Sequence, residues 1–142
     1  MSPLSEPPRV YEWLYGTLSA GTALASLVST RIYRSRAPAG ATFPYIVFRS
    51  QGGEDRLGVG GYRVFSDGEY VVRVTGLSAN YAAVRNAADE MNTLIDGQRG
   101  AASGVTIGAC YRVQPFELEE SDEAGVDYAH IGGIYRIIAH TT

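Results

Sequence analysis

The sequence predicts an α+β fold in which a mostly antiparallel β-sheet packs against two helices. Three observations carry this prediction. Apolar residues recur at helical spacing near the start of the chain, and the strongest amphipathic helical pattern covers residues 81–95. Most of the remaining chain reads as strands. The predicted order is α-β-β-β-α-β-β, within one domain over residues 1–142.

The first helix is expected to begin at Arg9, after a loose arm over residues 1–8 that contains three prolines. Pro7 and Pro8 can occupy a first helical turn, where the missing N–H does no harm. A bend at Gly21 then separates this helix from a short helical piece that ends before Arg31. Trp13 is expected to anchor the helices on the sheet, with a binding role as the alternative.

The stretch from Arg31 to Ser50, RIYRSRAPAGATFPYIVFRS, joins the helical part to the sheet. Pro44 cannot donate to a strand ladder, so it marks the start of a strand that continues through Phe48. Residues 51–62 hold five glycines and predict a flexible hairpin connection. A loop that orders on a partner and a phosphate-binding loop are the alternatives.

The second half of the chain alternates strand and helix signals. Ser66 to Gly68 predicts a turn, and residues 69–75 alternate as a strand. Gly97 ends the amphipathic helix. Two long strands follow, over residues 105–116 and 127–140, and the last has apolar residues on both faces. That strand is therefore expected to be central, or to be covered by a neighbouring subunit.

Composition excludes several classes of protein. The net charge of −3 gives no general attraction to nucleic acid. The lone Cys110 excludes an internal disulfide and a cysteine metal cluster, and it is expected to be an inert buried thiol. The chain has no apolar run of roughly 20 residues and no signal peptide pattern, so we expect no membrane contact and synthesis in a cytoplasm.

All 12 basic residues are arginine, and the charge is segregated along the chain. Codon bias explains the absence of lysine best; selection of arginine for bidentate pairing is the alternative. Residues 117–127, ELEESDEAGVD, hold six acids and no base, so the remainder carries about +3. This acidic stretch predicts a solvated hairpin tip, or a projecting loop that meets another protein or lines a channel. The stretch does not have the residue spacing of a calcium-binding loop. It is not expected to be a paired-carboxylate active site either, because nothing in the sequence supplies a partner for its carboxylates.

No motif indicates an enzyme. His130 and His140 lie ten residues apart on one predicted strand, and the chain has no nucleophile elbow, P-loop, dinucleotide fingerprint or metal-ligand cluster. A Ser–His–Asp arrangement assembled in three dimensions stays open. Arg31, Arg34 and Arg36 could bind phosphate or the acids of a neighbouring subunit, and the subunit contact is favoured because no aromatic platform accompanies them.

The order of the pieces resembles the tail terminator, or tail completion, proteins of long-tailed bacteriophages. The segments that carry the resemblance are TALASLVSTRIY, APAGATFPYIVF, EYVVRVTGLSANYAAVRNAADEMNTLID and DYAHIGGIYRIIAH, and the resemblance covers essentially the whole chain. The glycine-rich residues 51–61 and the acidic residues 117–127 depart from the bare pattern.

The resemblance implies a structural virion protein at the head–tail junction, assembled in the host cytoplasm, with no enzymatic activity and no cofactor. Such proteins form a ring of six on the tail tube, stop tube polymerisation and offer a docking surface to the head connector. DNA passes through the lumen without being recognised. A connector stopper or a tail tube subunit is the nearest alternative, and a small cytoplasmic hydrolase or binding domain is a distant one.

Two charged segments are the candidate interface within that ring. We expect the arginine segment to contact a neighbouring subunit and the acidic stretch to face the lumen or an axial partner, because segregated charges favour head-to-tail contacts. The candidate residues are Arg31, Arg34, Arg36, Glu117, Glu119, Glu120, Asp122 and Glu123.

Overall fold

The structure, a computed structural model, describes residues 5–61 and 63–141. Within those residues the chain forms three helices, six strands and one 3-10 turn, Ser78–Asn80. The elements are α1 (Glu6–Ser19), α2 (Thr22–Val28), β1 (Ile32–Arg34), β2 (Tyr45–Leu57), β3 (Arg63–Leu77), α3 (Tyr81–Ile95), β4 (Gly100–Ala102), β5 (Val105–Ser121) and β6 (Asp127–Thr141). The predicted α+β class is confirmed.

The six strands form one sheet in the order β1-β2-β3-β6-β5-β4. The short strand β1 pairs parallel with β2, and every other pairing is antiparallel. Because β2 and β6 both run antiparallel to β3, the β2–β3 hairpin and the β5–β6 hairpin turn at opposite ends of the sheet. The last strand, β6, is central, as its two apolar faces predicted.

The hydrophobic core lies between the helices and one face of the sheet. Alternate strand residues such as Phe48, Tyr70 and Tyr135 face this core, where they meet residues of α1, α2 and α3. Trp13 is 7% exposed and belongs to the core, so its predicted role as an anchor is confirmed. Its indole packs so closely on Gly100 of β4 that a side chain at position 100 would collide with it.

The opposite face of the sheet, which we call the open face, carries no helix within the described residues. Val47 and Val71 are buried there although they lie outside the core cluster. Ile134 and Ile138 of β6 are half-buried. Among the described residues, the segment over residues 38–43 folds across this face, at the end where β2 begins and β3 ends.

Two sequence-based predictions are wrong because long-range pairing overrides local turn signals. Residues 51–57, expected in a flexible connection, extend β2 and pair with β3, with a bulge at Gln51. The expected turn at Ser66–Gly68 lies inside β3, between β2 and β6. Arg63 to Phe65 also belong to β3, and Tyr62 lies outside the described residues.

Other boundaries differ from the prediction in smaller ways. Helix α1 begins at Glu6, inside the expected arm, and Pro7 and Pro8 occupy its first turn; residues 1–4 lie outside the described part. The short strands β1 and β4 were not predicted. Strand β5 continues to Ser121, so most of the acidic stretch is paired strand rather than a hairpin tip. No helix in residues 5–61 or 63–141 is long and apolar enough to cross a membrane.

Candidate subunit interface

One side edge of the sheet is basic. Residues 31–49, which include β1 and the start of β2, contain four arginines and no acid. Arg34, Arg36 and Arg49 are exposed. No ion pair with another described residue holds any of these three guanidinium groups. We call these three residues the basic edge.

Arg31 is used inside the protein, unlike its two neighbours. Its Nε donates to the carbonyl of Pro44 at 3.0 Å and its Nη2 to the carbonyl of Leu27 at 3.4 Å. The side chain is half-buried. It therefore ties the end of α2 to the segment that enters β2, and the expected arginine contact reduces to Arg34 and Arg36.

The opposite side of the sheet is acidic. Beyond its short pairing with β4, strand β5 is the outermost strand, and its last residues turn back into β6 through a tight loop. We call residues 117–127 the acidic hairpin. All of its carboxylates are exposed: Glu117, Glu119, Glu120, Asp122, Glu123 and Asp127. The structure thus places the two candidate charge clusters on opposite sides of one sheet rather than bringing them together.

The carboxylates of the acidic hairpin have different surroundings. The Tyr81 hydroxyl of α3 donates to Glu117 at 2.6 Å, so Glu117 lies on the helix side of the sheet. Asp122 closes the loop: its Oδ1 accepts from the N–H groups of Ala124 and Val126, both at 2.9 Å. Its Oδ2 accepts from the Tyr128 hydroxyl at 2.8 Å. These bonds, above all the backbone bond of Val126, hold the pKa of Asp122 below its ordinary value.

Glu120 lies on the open face and is held by a buried histidine. His130 is 5% exposed; its Nε2 lies 2.6 Å from Glu120 Oε1, and its Nδ1 lies 2.8 Å from Thr75 Oγ1. One tautomer satisfies both contacts: Nε2–H donates to Glu120, and the Thr75 hydroxyl donates to Nδ1. The order of hydroxyl, imidazole and carboxylate resembles a catalytic triad. However, Thr75 is 2% exposed, so a substrate cannot reach its oxygen, and the arrangement serves to orient Glu120.

An open cavity of about 390 Å³ lies next to Glu120 on the open face. Its floor is formed by Tyr45, Thr75, Tyr128 and His130, and residues 38–43 close it from above. The Phe43 ring is stacked on Tyr45, with ring centroids 5.4 Å apart, and lies 5.5 Å from Tyr128. Aromatic walls beside a carboxylate form a surface that suits a cation.

Comparison with known proteins identifies the family. The chain matches the family described as tail completion protein gp17 over residues 12–136. The chain belongs to this tail completion family. Its members are structural phage tail proteins. A similar fold occurs in a solved structure titled "Virion of native gene transfer agent (GTA) particle". That chain is 18% identical, with a TM-score of 0.76, and the match covers 94% of this chain and 96% of the other. No curated protein matches the chain.

This tail completion family member also carries an ion cluster that sequence reasoning missed. Asp67 of β3 is 6% exposed, and both of its oxygens accept from Arg136 of β6, Oδ1 at 2.6 Å from Nε. Arg56 of β2 approaches Oδ2 at 3.4 Å. The hydrogen bonds from Arg136 outweigh burial and hold the pKa of Asp67 below its ordinary value. A signal for this pair exists in the sequence, since Arg136 interrupts the apolar run of β6.

Arg73 stands near the middle of the open face, where the carboxylate of Glu120 favours its charge but no described carboxylate forms an ion pair with it. Its Nε is buried and donates to no partner among the described residues. Burial lowers the pKa of its guanidinium, and the neighbouring Arg49 adds to this effect. Two adjacent arginines on an uncovered sheet face thus extend the basic edge toward the centre of the sheet.

The remaining chemistry in the described residues gives no sign of a cofactor. The thiol of Cys110 is buried, and burial raises its pKa to about 12, so it is a poor nucleophile. In the described ranges, no group of His, Cys, Asp and Glu side chains could hold a metal ion. His140 lies near the carbonyl of Thr141 and does not join His130.

Proposed function

We propose that this protein forms a ring that caps the head-proximal end of the phage tail tube, stops tube polymerisation and provides the docking surface for the head connector. The observation that carries the proposal is the opposite charge of the two side edges of the sheet. A basic edge on one side and an acidic hairpin on the other favour a head-to-tail contact between copies. Such heterologous contacts close into a ring when the rotation between neighbours allows it.

The two ends of the sheet also differ, as a cap between two unlike partners requires. The β2–β3 hairpin ends in exposed apolar side chains: Leu57 is 65%, Val59 95% and Val64 46% exposed. The β5–β6 hairpin, at the other end, is acidic. We propose that one end meets the tail tube protein and the other the head connector or stopper protein. Exposed apolar groups of this kind favour a partner surface.

Family membership and the fold match support the finer parts of this proposal. We propose one domain over residues 1–142, six copies in the ring, a position at the head–tail junction of a virion, and a lumen that passes DNA without reading its sequence. The fold match comes from a virion, that of a gene transfer agent particle. An acidic hairpin tip near the lumen would repel the DNA backbone and prevent it from sticking.

Electron microscopy of tails made without this protein tests the proposal. The gene is deleted in the phage that encodes it, and a plasmid copy serves as the control that restores wild-type particles. Overlong tails without heads are expected, because the tube would have lost its stop. Tails of normal length that fail to join heads would assign the protein to the connector instead. Normal assembled particles would reject a role at the junction.

A further inference from the structure

The aromatic cavity on the open face has the composition of a cation site. Its walls include the rings of Phe43, Tyr45 and Tyr128, and its one carboxylate is Glu120. No arginine lines it. A guanidinium group can stack on aromatic faces and form a charge-assisted hydrogen bond to a carboxylate at the same time.

Glu120 is prepared for such a ligand. His130 holds Oε1 at 2.6 Å, which fixes the carboxylate against the buried Thr75–His130 pair. Oε2 accepts no hydrogen bond within the described chain, and the Glu120 side chain is 56% exposed. One oxygen is therefore anchored while the other can accept from an incoming donor.

We infer that this cavity receives an arginine side chain from the segment 34–36 of a neighbouring copy. This inference rests on the proposed ring, in which the basic edge of one copy meets the acidic side of the next. Arg34 and Arg36 are exposed, have no ion-pair partner in their own described chain, and sit on the opposite side of the sheet from Glu120. Since every cation of this protein is an arginine, the bidentate, stacking guanidinium is the group that a second copy offers.

Peptide binding tests the cavity directly, without requiring a ring to form. The probe is the acetylated and amidated tetrapeptide of residues 34–37, Arg-Ser-Arg-Ala, titrated into the full-length protein and followed by amide NMR shifts. We expect shifts confined to residues around Tyr45, Glu120 and His130. Replacing both arginines of the probe by citrulline, which keeps the shape and removes the charge, should weaken binding about tenfold.

A matched pair of protein variants identifies the carboxylate. Glu120→Gln keeps an oxygen for His130 and should weaken binding of the tetrapeptide about tenfold. Glu119→Gln removes the same charge from the other face of the strand and should change binding less than twofold. Equal binding of the citrulline probe, or equal effects of the two variants, would overturn the inference. Tighter binding of free arginine amide than of the tetrapeptide would assign the cavity to a small cation and also overturn it.

Tail assembly separates this inference from the proposed function. Plasmid copies of Glu120→Gln and of the double variant Arg34→Ala/Arg36→Ala should restore at least tenfold fewer infectious particles than wild type. If deletion gives overlong tails but these variants complement fully, the capping function is supported and the inferred arginine contact at Glu120 is wrong. If the tetrapeptide binds at Glu120 but deletion leaves normal particles, the cavity stands as an arginine site and the capping role falls.

Discussion

At the scale of single residues, the ion pair between Asp67 and Arg136 gives a stability that depends on pH. The folded-state pKa of Asp67 lies below its ordinary value because Arg136 donates to both oxygens. A depressed folded pKa contributes stability above the unfolded value of about 4 and loses it as the pH falls through the lower folded value. The pair therefore stabilises the protein at neutral pH and ceases to do so in strong acid.

Asp67→Asn should lower the free energy of unfolding at pH 7 by about 2 kcal/mol, because it removes charged hydrogen bonds in a buried place. The difference from wild type should shrink as the pH falls from about 4 toward the lower folded-state pKa of Asp67, because the carboxyl group is protonated first in the unfolded state. Urea unfolding at pH 7 and at pH 3 measures both effects. Asp89→Asn, on the exposed side of α3, is the control and should stay within about 0.5 kcal/mol. An equal difference at both pH values would contradict this account.

Gly132 of β6 is required by the close approach of the neighbouring strand. A Cβ at this position would collide with the carbonyl oxygen of Val72 and lie 2.6 Å from the Cα of Arg73, both backbone atoms that cannot move aside. Gly132→Ala should therefore destabilise the fold by about 2 kcal/mol or more. Gly108→Ala is the matched control, since its Cβ would meet only Ile138 O at 3.7 Å. Thermal unfolding compares the two variants, and equal melting temperatures would refute the steric explanation.

At the scale of elements, local patterns predict well where an element is long and its partners are near. The period of α3 and the alternation of β3 are properties of their own residues, so both were predicted from sequence. Strands β1 and β4 have three residues each and exist only through their pairing with β2 and β5. The glycines at 52 and 53 and the Ser66–Gly68 sequence are typical of loops. They form strand here because β2 pairs with β3 along both segments.

Of the candidate interface, the sequence alone predicted only the two charged segments and not their positions in the sheet. The arginine segment and the acidic stretch stand out by composition, but the sheet order that places them on opposite sides is not a local property. The cavity at Glu120 needs Phe43, Thr75 and, from β6, Tyr128 and His130, which come from three separate parts of the chain. No spacing rule joins residues that lie so far apart, so this site could not be found from sequence.

The acidic hairpin should be needed for assembly but not for folding. Glu119→Lys/Glu120→Lys/Glu123→Lys reverses three exposed charges, and circular dichroism should keep the wild-type sheet signal even though the change at Glu120 removes the acceptor of His130. Complementation of the deleted phage should fall at least tenfold, because the hairpin would lose its net negative charge and place three cations at the neighbour contact. Glu12→Lys/Asp89→Lys/Glu90→Lys changes the net charge equally on the helices and serves as the control. Normal infectivity of the hairpin variant would exclude a role for the hairpin in assembly.

At the scale of the whole molecule, the charge separation across the sheet distinguishes a head-to-tail contact from a symmetric one. In a symmetric dimer, a surface patch contacts the same patch of the second copy. Reversing the charge of that patch changes both sides of the contact together, so the two sides still carry the same charge. In a head-to-tail ring, each contact joins a basic edge to an acidic hairpin. Reversing only one of the two therefore places like charges across every contact, and a protein with one reversed edge should not assemble alone.

Two variants with complementary reversals should assemble together although neither assembles alone. The first is Glu117→Lys/Glu119→Lys/Glu120→Lys/Glu123→Lys, which leaves the hairpin with four cations and two acids and so makes both sides basic. The second is Arg34→Glu/Arg36→Glu/Arg49→Glu, which makes both acidic. In an alternating ring of the two, every contact again joins opposite charges, and six positions accommodate three of each. Co-expression in cells infected by the deleted phage should restore infectious particles at least tenfold over either variant alone. The control expresses each variant alone at twice the plasmid dose, since copies of one variant place like charges across every contact. That control should restore no more particles than the single dose does. If the complementary pair restores only as many infectious particles as the two variants give separately, the head-to-tail charge contact is wrong.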